Sequence, residues 1–376
     1  MNKLKLMTIV GTRPEIIRLS ELIKKCDRYF DHVLVHTGQN WDYTLNEVFF
    51  KDFELRAPDH YLDSVGKNLG ETIGNIIARS YDLMLSLKPD ALLILGDTNS
   101  ALCAISAKRL KIPIFHMEAG NRCFDENLPE EINRRIVDHI SDIHLPYTEH
   151  ARRYLIAEGV RKEHIYVTGS PMTEVLDIYR EKIQNSGVLE SLGLEKNGYI
   201  LVSAHREENI DDERNFLSLM EALNTVAETY RLPVVYSTHP RSQNMLKKRG
   251  FEFHPQVMSL KPFGFFDYNK LQMNAFCVLS DSGTVPEEAA VLGFPAISIR
   301  TSTERPEALD KGCIILGGVK GQDVIQAVEL CRAMWEANDI GTVVPDYVDK
   351  NVSTKVIKLI QSYVKIINRN VWRKEQ

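Results

Sequence analysis

The sequence lacks the motifs that most directly indicate a nucleotide cofactor or a metal. It contains neither a GxGxxG dinucleotide loop nor a GxxxxGK[ST] phosphate loop, so NAD and ATP are both poorly supported. Its six cysteines form no CxxC pair and have no histidine partners at metal-binding spacing. We therefore expect reduced, mostly buried thiols and no metal site.

Excess positive charge and long apolar runs are also missing. The formal net charge is −5, which argues against a general binder of nucleic acid or anionic membranes. No apolar run approaches membrane-spanning length, and residues 1–5 lead into a predicted strand without a signal-peptide core. A cytoplasmic location is expected, and any anionic ligand must be bound by local basic residues.

What the sequence does contain is a regular alternation of short apolar runs and longer helical patterns. The predicted strands are 6–10, 32–36, 91–95, 114–117, 143–146, 199–203, 233–237, 276–279, 296–299 and 313–316. Their near-continuous hydrophobicity is typical of parallel sheets covered by helices on both faces. A length of 376 residues favours two domains. We predict an α/β protein with two doubly wound, Rossmann-like domains, 1–170 and 171–352, and a terminal helix, 353–376, packing on the first domain.

Ligands of doubly wound sheets bind beyond the carboxyl ends of the strands, so polar residues after each run are candidate site residues. The first run is followed by Gly11-Thr12-Arg13-Pro14-Glu15, in which Gly11 permits a tight turn and Pro14 suits the first turn of a helix. Arg13 and Arg18 are placed to reach a ligand at this edge.

Two carboxylates follow the next runs of the first half. Asp97 lies directly after 91–95, where it could equally cap the following helix. Glu118 follows 114–117 and lies between Met117 and the small residues Ala119 and Gly120. Partial burial is expected to raise its pKa and to suit it to proton transfer.

A third carboxylate lies at the predicted start of a helix. Pro129, Glu130 and Glu131 form a pattern that an ordinary helix start also explains, since acids are favoured in the first turn. Glu131 and Arg134 are three residues apart and share a helix face, so Arg134 can hold Glu131 in position.

In the second half, a turn of small residues follows the run 276–279 and opens a helix. We expect a phosphate site there, formed by the first-turn N–H groups, the Ser282 and Thr284 hydroxyls, Gly283 and the helix dipole. Glu288, one turn later, could accept hydrogen bonds from ribose hydroxyls. An ordinary helix capped by Ser282 explains the same pattern.

Three more residues of the second half are candidates for binding a nucleotide. His205 follows the run 199–203, and Arg305 lies in the polar cluster after 296–299, so both can neutralise phosphates, although a solvated charge run is the alternative. Tyr268 precedes the phosphate turn by about one helix length. It could stack on a base or pack in the core.

The ordered series of motifs resembles the non-hydrolysing UDP-N-acetylglucosamine 2-epimerase family. The motifs are Gly11-Thr-Arg-Pro-Glu15, Thr37-Gly-Gln39, Gly96-Asp-Thr98, Glu118-Ala-Gly120, Pro129-Glu-Glu131, Asn133-Arg134, His205-Arg206, Asp281-Ser-Gly283, Glu287-Glu288 and Glu304-Arg-Pro-Glu307. Each motif alone is weakly specific, but the whole series in this order is highly specific and spans most of the chain.

The resemblance implies two Rossmann-like domains in a GT-B-like arrangement, with a UDP-sugar in the interdomain cleft. It also implies a homodimer that needs neither metal nor nicotinamide. Asp97, Glu118 and Glu131 match the acid/base carboxylates of the family. Its UDP contacts match Arg13 at the phosphates, Tyr268 near the uracil, and His205, Ser282, Gly283 and Glu288.

Departures from the common family pattern favour one branch. The family usually has Glu-Ala-Gly-Leu-Arg-Thr where this chain has Asn121 and Cys123, followed by Phe124. These variants resemble the branch that converts UDP-2-acetamido-2,6-dideoxy-L-talose to UDP-N-acetyl-L-fucosamine for surface polysaccharides. A methyl group at carbon 6 would tolerate Cys123 and Phe124 nearby, although both could equally be core residues. UDP-N-acetylglucosamine is the alternative substrate.

Three other functions fit parts of the pattern. A GT-B glycosyltransferase would share the fold and the nucleotide site. A hydrolysing epimerase would need only water entry, and a UDP-sugar sensor would not need Asp97, Glu118 and Glu131 together. The three carboxylates favour an epimerase over a transferase or a sensor.

Overall fold

Two parallel sheets organise the chain in the computed structural model, which describes residues 3–38, 49–204, 213–300 and 302–374. One compact unit contains Met1–Val175 together with Asp349–Gln376, and the other contains Leu176–Val348. Gln39 of the family series and the predicted site residue His205 lie outside the described residues.

The sheet of the first unit has six parallel strands in the order β3-β2-β1-β4-β5-β6. Its strands are β1 Lys5–Val10, β2 Asp31–His36, β3 His60–Tyr61, β4 Ala91–Leu95, β5 Ile114–Met117 and β6 Ile143–Leu145. The central strands β4 and β5 are buried along their whole length, as their near-continuous hydrophobicity predicts.

Helices and one 3₁₀ turn connect these strands and cover the sheet. The helices are α1 Arg13–Tyr29, α2 Leu69–Leu87, α3 Ala104–Arg109, α4 Pro129–Ile140, α5 Glu149–Ala157 and α6 Pro171–Ile178. The 3₁₀ turn Asn99–Cys103 directly follows β4. Apolar residues of α2, α3 and the strands form one buried core.

The sheet of the second unit also has six parallel strands, in the order β12-β11-β10-β7-β8-β9. They are β7 Ile200–Ser203, β8 Val234–Ser237, β9 Val257–Leu260, β10 Cys277–Ser280, β11 Ala296–Ser298 and β12 Ile315–Leu316. The helices are α7 Arg180–Gln184, α8 Val188–Leu192, α9 Glu213–Tyr230, α10 Pro240–Arg249, α11 Phe265–Asn274, α12 Val285–Leu292, α13 Pro306–Asp310 and α14 Gly321–Glu336.

The predicted pair of parallel α/β domains is confirmed. Both sheets have the strand order of a dinucleotide-binding fold, in which the order reverses between two central strands. That reversal falls between β1 and β4 in the first unit and between β7 and β10 in the second. Ligand sites of such sheets form at the carboxyl side of the reversal.

The last helix, α15 Val352–Asn370, packs against α1 within the first unit. Lys25 of α1 donates to the Thr354 hydroxyl at 2.8 Å, and Glu174 accepts from the Ser353 backbone N–H at 2.8 Å. No helix among the described residues is both long enough and apolar enough to cross a bilayer.

Candidate active site

Glu118 occupies an unusual backbone position directly after β5. Its φ of 62° lies in the left-handed region, which an ordinary side chain adopts only at a cost of about 1–3 kcal/mol. The Arg18 guanidinium binds Oε2 of the buried carboxylate, and Asn121 donates to Oε1 at 3.0 Å. The Tyr147 hydroxyl lies 3.4 Å from Oε2. Three side chains therefore hold the Glu118 carboxylate in place at the carboxyl end of the sheet.

Asp138 on α4 holds the loop that carries Glu118. Its carboxylate accepts from His116 Nδ1 at 2.8 Å, from the Gly120 N–H at 3.0 Å and from Arg122 at 2.8 Å. Burial alone would raise the pKa of Asp138, but the bonds from His116 and the charge of Arg122 outweigh it and lower the pKa to about 2. Asp138 is therefore a permanent anion at neutral pH.

His116 extends this support to the loop after β4. Its Nε2 lies 2.9 Å from the carbonyl oxygen of Gly96, while its Nδ1 contacts Asp138. Both partner atoms are hydrogen-bond acceptors. His116 and Asp138 thus connect the loops that follow β4 and β5.

Arg134 on α4 joins the two other predicted carboxylates. Its Nε donates to Asp97 at 2.7 Å, and its Nη1 donates to Glu131 at 3.0 Å. The predicted pairing of Glu131 with Arg134 across one helical turn is present. Asp97, Glu131 and Arg134 therefore form one cluster, although Asp97 precedes Arg134 by 37 residues.

Glu131 is held as an anion within this cluster. Burial would raise the pKa of its carboxyl group, but hydrogen bonds from the Cys123 N–H, at 3.1 Å, and from Arg134 lower the pKa below its usual value. The Cys123 thiol also lies 3.4 Å from the same oxygen. Glu131 suits the role of a proton acceptor better than that of a proton donor.

The three carboxylates differ in their access to a ligand. The Asp97 side chain is 19% exposed, against 10% for Glu118 and none for Glu131. Asn133 fixes the Asp97 backbone by donating to its carbonyl oxygen at 2.9 Å. Asp97 is thus the carboxylate that a bound molecule reaches most directly.

Arg13 lies at the start of α1, at the carboxyl end of β1. It is half-buried, and its guanidinium lies 5.4 Å from the centre of the Phe49 ring. The preceding N-cap residue, Thr12, makes no side-chain capping bond to the helix. The structure therefore places Arg13 at the predicted edge of the sheet.

In the second unit, the predicted phosphate turn lies between β10 and α12. Thr284, rather than Ser282, is the N-cap, and its own side chain makes no capping bond. The Ser282 and Thr284 hydroxyls are 3.0 Å apart, on either side of Gly283. The Ser282 hydroxyl also accepts from the Thr284 N–H at 3.4 Å, so part of the capping role expected of Ser282 is present. Two adjacent hydroxyls at a helix start also suit an anionic ligand.

Tyr268 and Glu288 lie close together behind this turn. Gln272 donates to the Glu288 carboxylate at 2.6 Å. Burial raises the pKa of the Tyr268 phenol, and the negative charge of Glu288 raises it further. The Tyr268 ring also packs on the apolar core of the second unit. Tyr268 therefore packs on the core and also lies near the phosphate turn.

Arg305 is buried in an ion pair. Its Nη2 lies 2.7 Å from the Glu287 carboxylate on α12, and both side chains are at most 2% exposed. Arg305 therefore supports the helix that carries the phosphate turn. The predicted direct contact of Arg305 with substrate stays a prediction, as do the roles of the other candidate residues.

Sequence reasoning did not find the part that three residues play in the first cluster. Tyr147 and Asn121 contact Glu118, and Asp138 holds the Glu118 loop through the Gly120 N–H. Tyr147 is the second residue after the end of β6, so the rule that located Asp97 and Glu118 could have found it. Among the described residues, no group of three His, Cys, Asp or Glu side chains is arranged to bind a metal.

Comparison with known proteins identifies the family. The profile described as UDP-N-acetylglucosamine 2-epimerase matches residues 24–361. A solved UDP-N-acetylglucosamine 2-epimerase from Rickettsia bellii is 47% identical, with a TM-score of 0.92 over 99% of this chain and 100% of that one. The Methanocaldococcus jannaschii UDP-GlcNAc 2-epimerase, solved with UDP-GlcNAc and UDP, is 31% identical, with a TM-score of 0.88 over 95% of this chain and 99% of that one.

One similar protein is named for a different substrate. The UDP-2,3-diacetamido-2,3-dideoxy-D-glucuronate 2-epimerase of Pseudomonas aeruginosa is 33% identical over 329 residues, which are 86% of this chain and 91% of that protein. The family profile and both solved structures cover most of the chain. The chain therefore belongs to the UDP-N-acetylglucosamine 2-epimerase family, and it is an isomerase.

Proposed function

We propose that this protein inverts carbon 2 of a UDP-N-acetylhexosamine by eliminating UDP and adding it back. Two arginine-bound carboxylate centres at the carboxyl end of the first sheet carry this proposal. One centre is Glu118 with Arg18, and the other is Asp97 and Glu131 with Arg134. Relatives that are named 2-epimerases of UDP-sugars support the substrate class.

The chemistry explains why UDP must leave. The proton on carbon 2 of an N-acetyl sugar is not beside a carbonyl group, so its direct removal would be slow. Breaking the bond between carbon 1 and the diphosphate oxygen makes that proton acidic. Loss of UDP and of the carbon 2 proton forms a double bond between carbons 1 and 2, which gives a glycal.

The leaving UDP gains negative charge and needs stabilisation. We assign this role to Arg13, His205 and the phosphate turn with Ser282, Gly283 and Thr284. Preorganised donors of this kind contribute roughly 3 kcal/mol each when they are aimed at developing charge. Tyr268 and Glu288 are assigned to the uridine, with Glu288 accepting from ribose hydroxyls.

Inversion requires a proton to leave one face of the sugar and another to arrive on the opposite face. Two differently placed acid/base groups meet this need. We assign one face to the centre of Asp97 and Glu131 and the other to Glu118. Asp97, the most exposed of the three, is the group we expect nearest to carbon 2.

We further propose that the preferred substrate is UDP-2-acetamido-2,6-dideoxy-L-talose, giving UDP-N-acetyl-L-fucosamine for surface polysaccharides. Cys123 supports this choice, because it lies against Glu131 and is less polar than the family's threonine. Phe124 is 62% exposed and packs edge-on against Tyr154. UDP-N-acetylglucosamine is the alternative substrate. The homodimer and the cytoplasmic location stay predictions.

Proton NMR of each UDP-sugar incubated with purified protein tests the proposal. A new anomeric signal of the carbon 2 epimer from the talose-series sugar supports the deoxysugar reaction. Epimerisation of UDP-N-acetylglucosamine alone assigns the alternative substrate. Release of free sugar and UDP would favour a hydrolysing epimerase. UDP binding without any turnover would favour a glycosyltransferase or a sensor.

The Cys123→Thr variant restores the family's common residue and serves as a matched test of sugar choice. We expect it to lower kcat/KM for the talose-series sugar relative to UDP-N-acetylglucosamine by roughly 10-fold, the scale of a one-methyl difference in a pocket. An unchanged ratio would remove Cys123 from the account of specificity.

A further inference from the structure

Glu15, in the first turn of α1, is a buried carboxylate to which neither the proposed mechanism nor the sequence assigns a role. Only 1% of it is exposed. Its Oε2 accepts from the Gly11 N–H at 3.0 Å and from the Thr12 hydroxyl at 2.7 Å. Its Oε1 accepts from the Ser100 hydroxyl, on the 3₁₀ turn after β4. Glu15 therefore joins the loops that follow β1 and β4.

The hydrogen bond that Ser100 donates determines which groups donate and which accept in a longer chain of hydrogen bonds. A hydroxyl has one proton, and Ser100 gives that proton to Glu15. The Thr98 and Ser100 hydroxyls are 2.6 Å apart, so Thr98 must be the donor in that bond. Hydrogen bonds thus run from Thr98 through Ser100 to the Glu15 carboxylate.

This hydrogen-bond chain ends at Thr98, beside a proposed acid/base residue. Thr98 directly follows Asp97, and both precede the 3₁₀ turn that contains Ser100. β1 and β4 are the neighbouring strands at which the strand order reverses. The hydrogen-bond chain therefore ties the loop of Asp97 to α1, while Arg134 on α4 binds the Asp97 carboxylate.

We propose that the Glu15 carboxylate is a positioning residue that orders the Asp97 loop for catalysis through Ser100 and Thr98. The inference rests on the proposed function, because it assumes that Asp97 exchanges protons with the substrate. Glu15 protonated at Oε1 would instead donate to Ser100, and Ser100 would then donate to Thr98. Protonation reverses the chain and changes the hydrogen bonds that hold the loop.

The surroundings of Glu15 place this change near physiological pH. Burial raises the pKa of Glu15 to about 6, although the bonds from Ser100, Thr12 and Gly11 each lower it. Cys103, on the same 3₁₀ turn, is the titratable neighbour; burial and the Glu15 charge both raise the pKa of its thiol. Arg18, one turn later on α1, is bound to Glu118.

The proposal predicts opposite pH trends for stability and for turnover. The folded-state pKa of Glu15, about 6, exceeds its ordinary value of 4.5, so the folded protein binds this proton more tightly than the unfolded chain. The contribution of Glu15 to stability therefore rises as the pH falls from above 6 towards 4.5. Turnover should fall over the same range, because the carboxylate that orders the loop is lost.

The test measures kcat against pH, UDP affinity and thermal stability for the wild type and for Glu15→Gln. At pH 8 we expect Glu15→Gln to lower kcat roughly 10- to 100-fold, the scale of a small misplacement of a catalytic group. Its UDP affinity and melting temperature should not fall, and the fall of kcat near pH 6 should disappear. Glu21→Gln, which alters an ion pair with Lys24 on the same helix, is the matched control and should keep the wild-type profile.

A second variant keeps the test decisive if Glu15→Gln folds poorly. Ser100→Ala breaks the hydrogen-bond chain between Glu15 and Thr98, so at pH 8 it should lower kcat as Glu15→Gln does, and the fall of kcat near pH 6 should disappear. Wild-type kcat in Glu15→Gln, or a persisting fall of kcat near pH 6 in Ser100→Ala, would overturn the inference. Absence of turnover by the wild type with both UDP-sugars would overturn the proposed function, and this inference with it.

Discussion

The Glu118 carboxylate is bound by the Arg18 guanidinium, which lies one hundred residues earlier in the chain, on α1. Both side chains are at most 10% exposed. Removing one partner of a buried ion pair leaves a charge without compensation and costs about 3–5 kcal/mol. The pair therefore makes a proposed acid/base group part of what stabilises the first unit.

Arg18→Met should reduce both stability and turnover for this reason. We expect a loss of about 3–5 kcal/mol in the free energy of unfolding and a kcat at least 10-fold lower. Arg18→Lys keeps the charge and should lose less of both. Denaturant titration and steady-state kinetics measure the two effects. Arg28→Met, at an exposed position of α1, is the control. Equal stability of Arg18→Met and wild type would contradict the ion-pair account.

The amide variants Asp97→Asn, Glu118→Gln and Glu131→Gln should bind UDP normally but turn over slowly. Each removes a proposed proton-transfer group, an effect of about 100- to 10,000-fold on rate. UDP affinity should change little, because the proposed UDP contacts lie elsewhere. Calorimetry with UDP and initial-rate kinetics separate binding from chemistry. Glu126→Gln, at a 74% exposed side chain, is the control. Normal turnover in all three variants would refute the assignment.

Much of the fold follows from the sequence because the central strands are buried on both faces. β4 is an unbroken apolar run in the sequence, and β1 and β5 are nearly so. The two strands that sequence reasoning missed differ physically: β3 has only the two residues His60 and Tyr61, and β9, at an edge of its sheet, is partly exposed throughout. Neither has the continuous apolar pattern of a central strand.

The strand-end rule located Asp97, Glu118 and the phosphate turn, because carboxyl ends of parallel strands meet at one edge. Contacts such as Arg18 with Glu118 or Arg134 with Asp97 depend on which strands are neighbours, and local patterns carry no such information. The left-handed backbone conformation of Glu118 could not be predicted from the sequence either, because it depends on the contact of its loop with Asp138.

Gly120 is required by the geometry of the loop that carries Glu118. Its φ is 81°, and a Cβ there would lie 2.4 Å from the Ala151 carbonyl oxygen. Gly120→Ala should therefore lower the free energy of unfolding by about 3 kcal/mol or more, from backbone strain and overpacking. Gly74→Ala is a matched control, because a Cβ at Gly74, within α2, meets no atom within 4 Å. That control should stabilise the protein by about 0.5–1 kcal/mol. Equal effects in both variants would contradict the structure.

Asp138 should make the protein acid-sensitive in a defined pH window. Its folded-state pKa of about 2 lies below the ordinary 3.8, so its contribution is present above pH 4 and is lost as the pH falls towards 2. The loss is on the order of 2 kcal/mol. Asp138→Asn should be destabilised at pH 7, and its difference from wild type should shrink below pH 4. Denaturant titrations at both pH values test this, with the exposed Asp82→Asn as control. A constant difference would contradict the assigned pKa.

Deuterium exchange at carbon 2 tests the central claim most directly. Wild-type protein is incubated in deuterated water with UDP-2-acetamido-2,6-dideoxy-L-talose and, separately, with UDP-N-acetylglucosamine, and the sugars are followed by NMR. The account predicts that the epimerised sugar carries deuterium at carbon 2 while the UDP-sugar remains intact overall. Epimerisation that retains the original hydrogen at carbon 2, or no exchange with either sugar despite UDP binding, would contradict it.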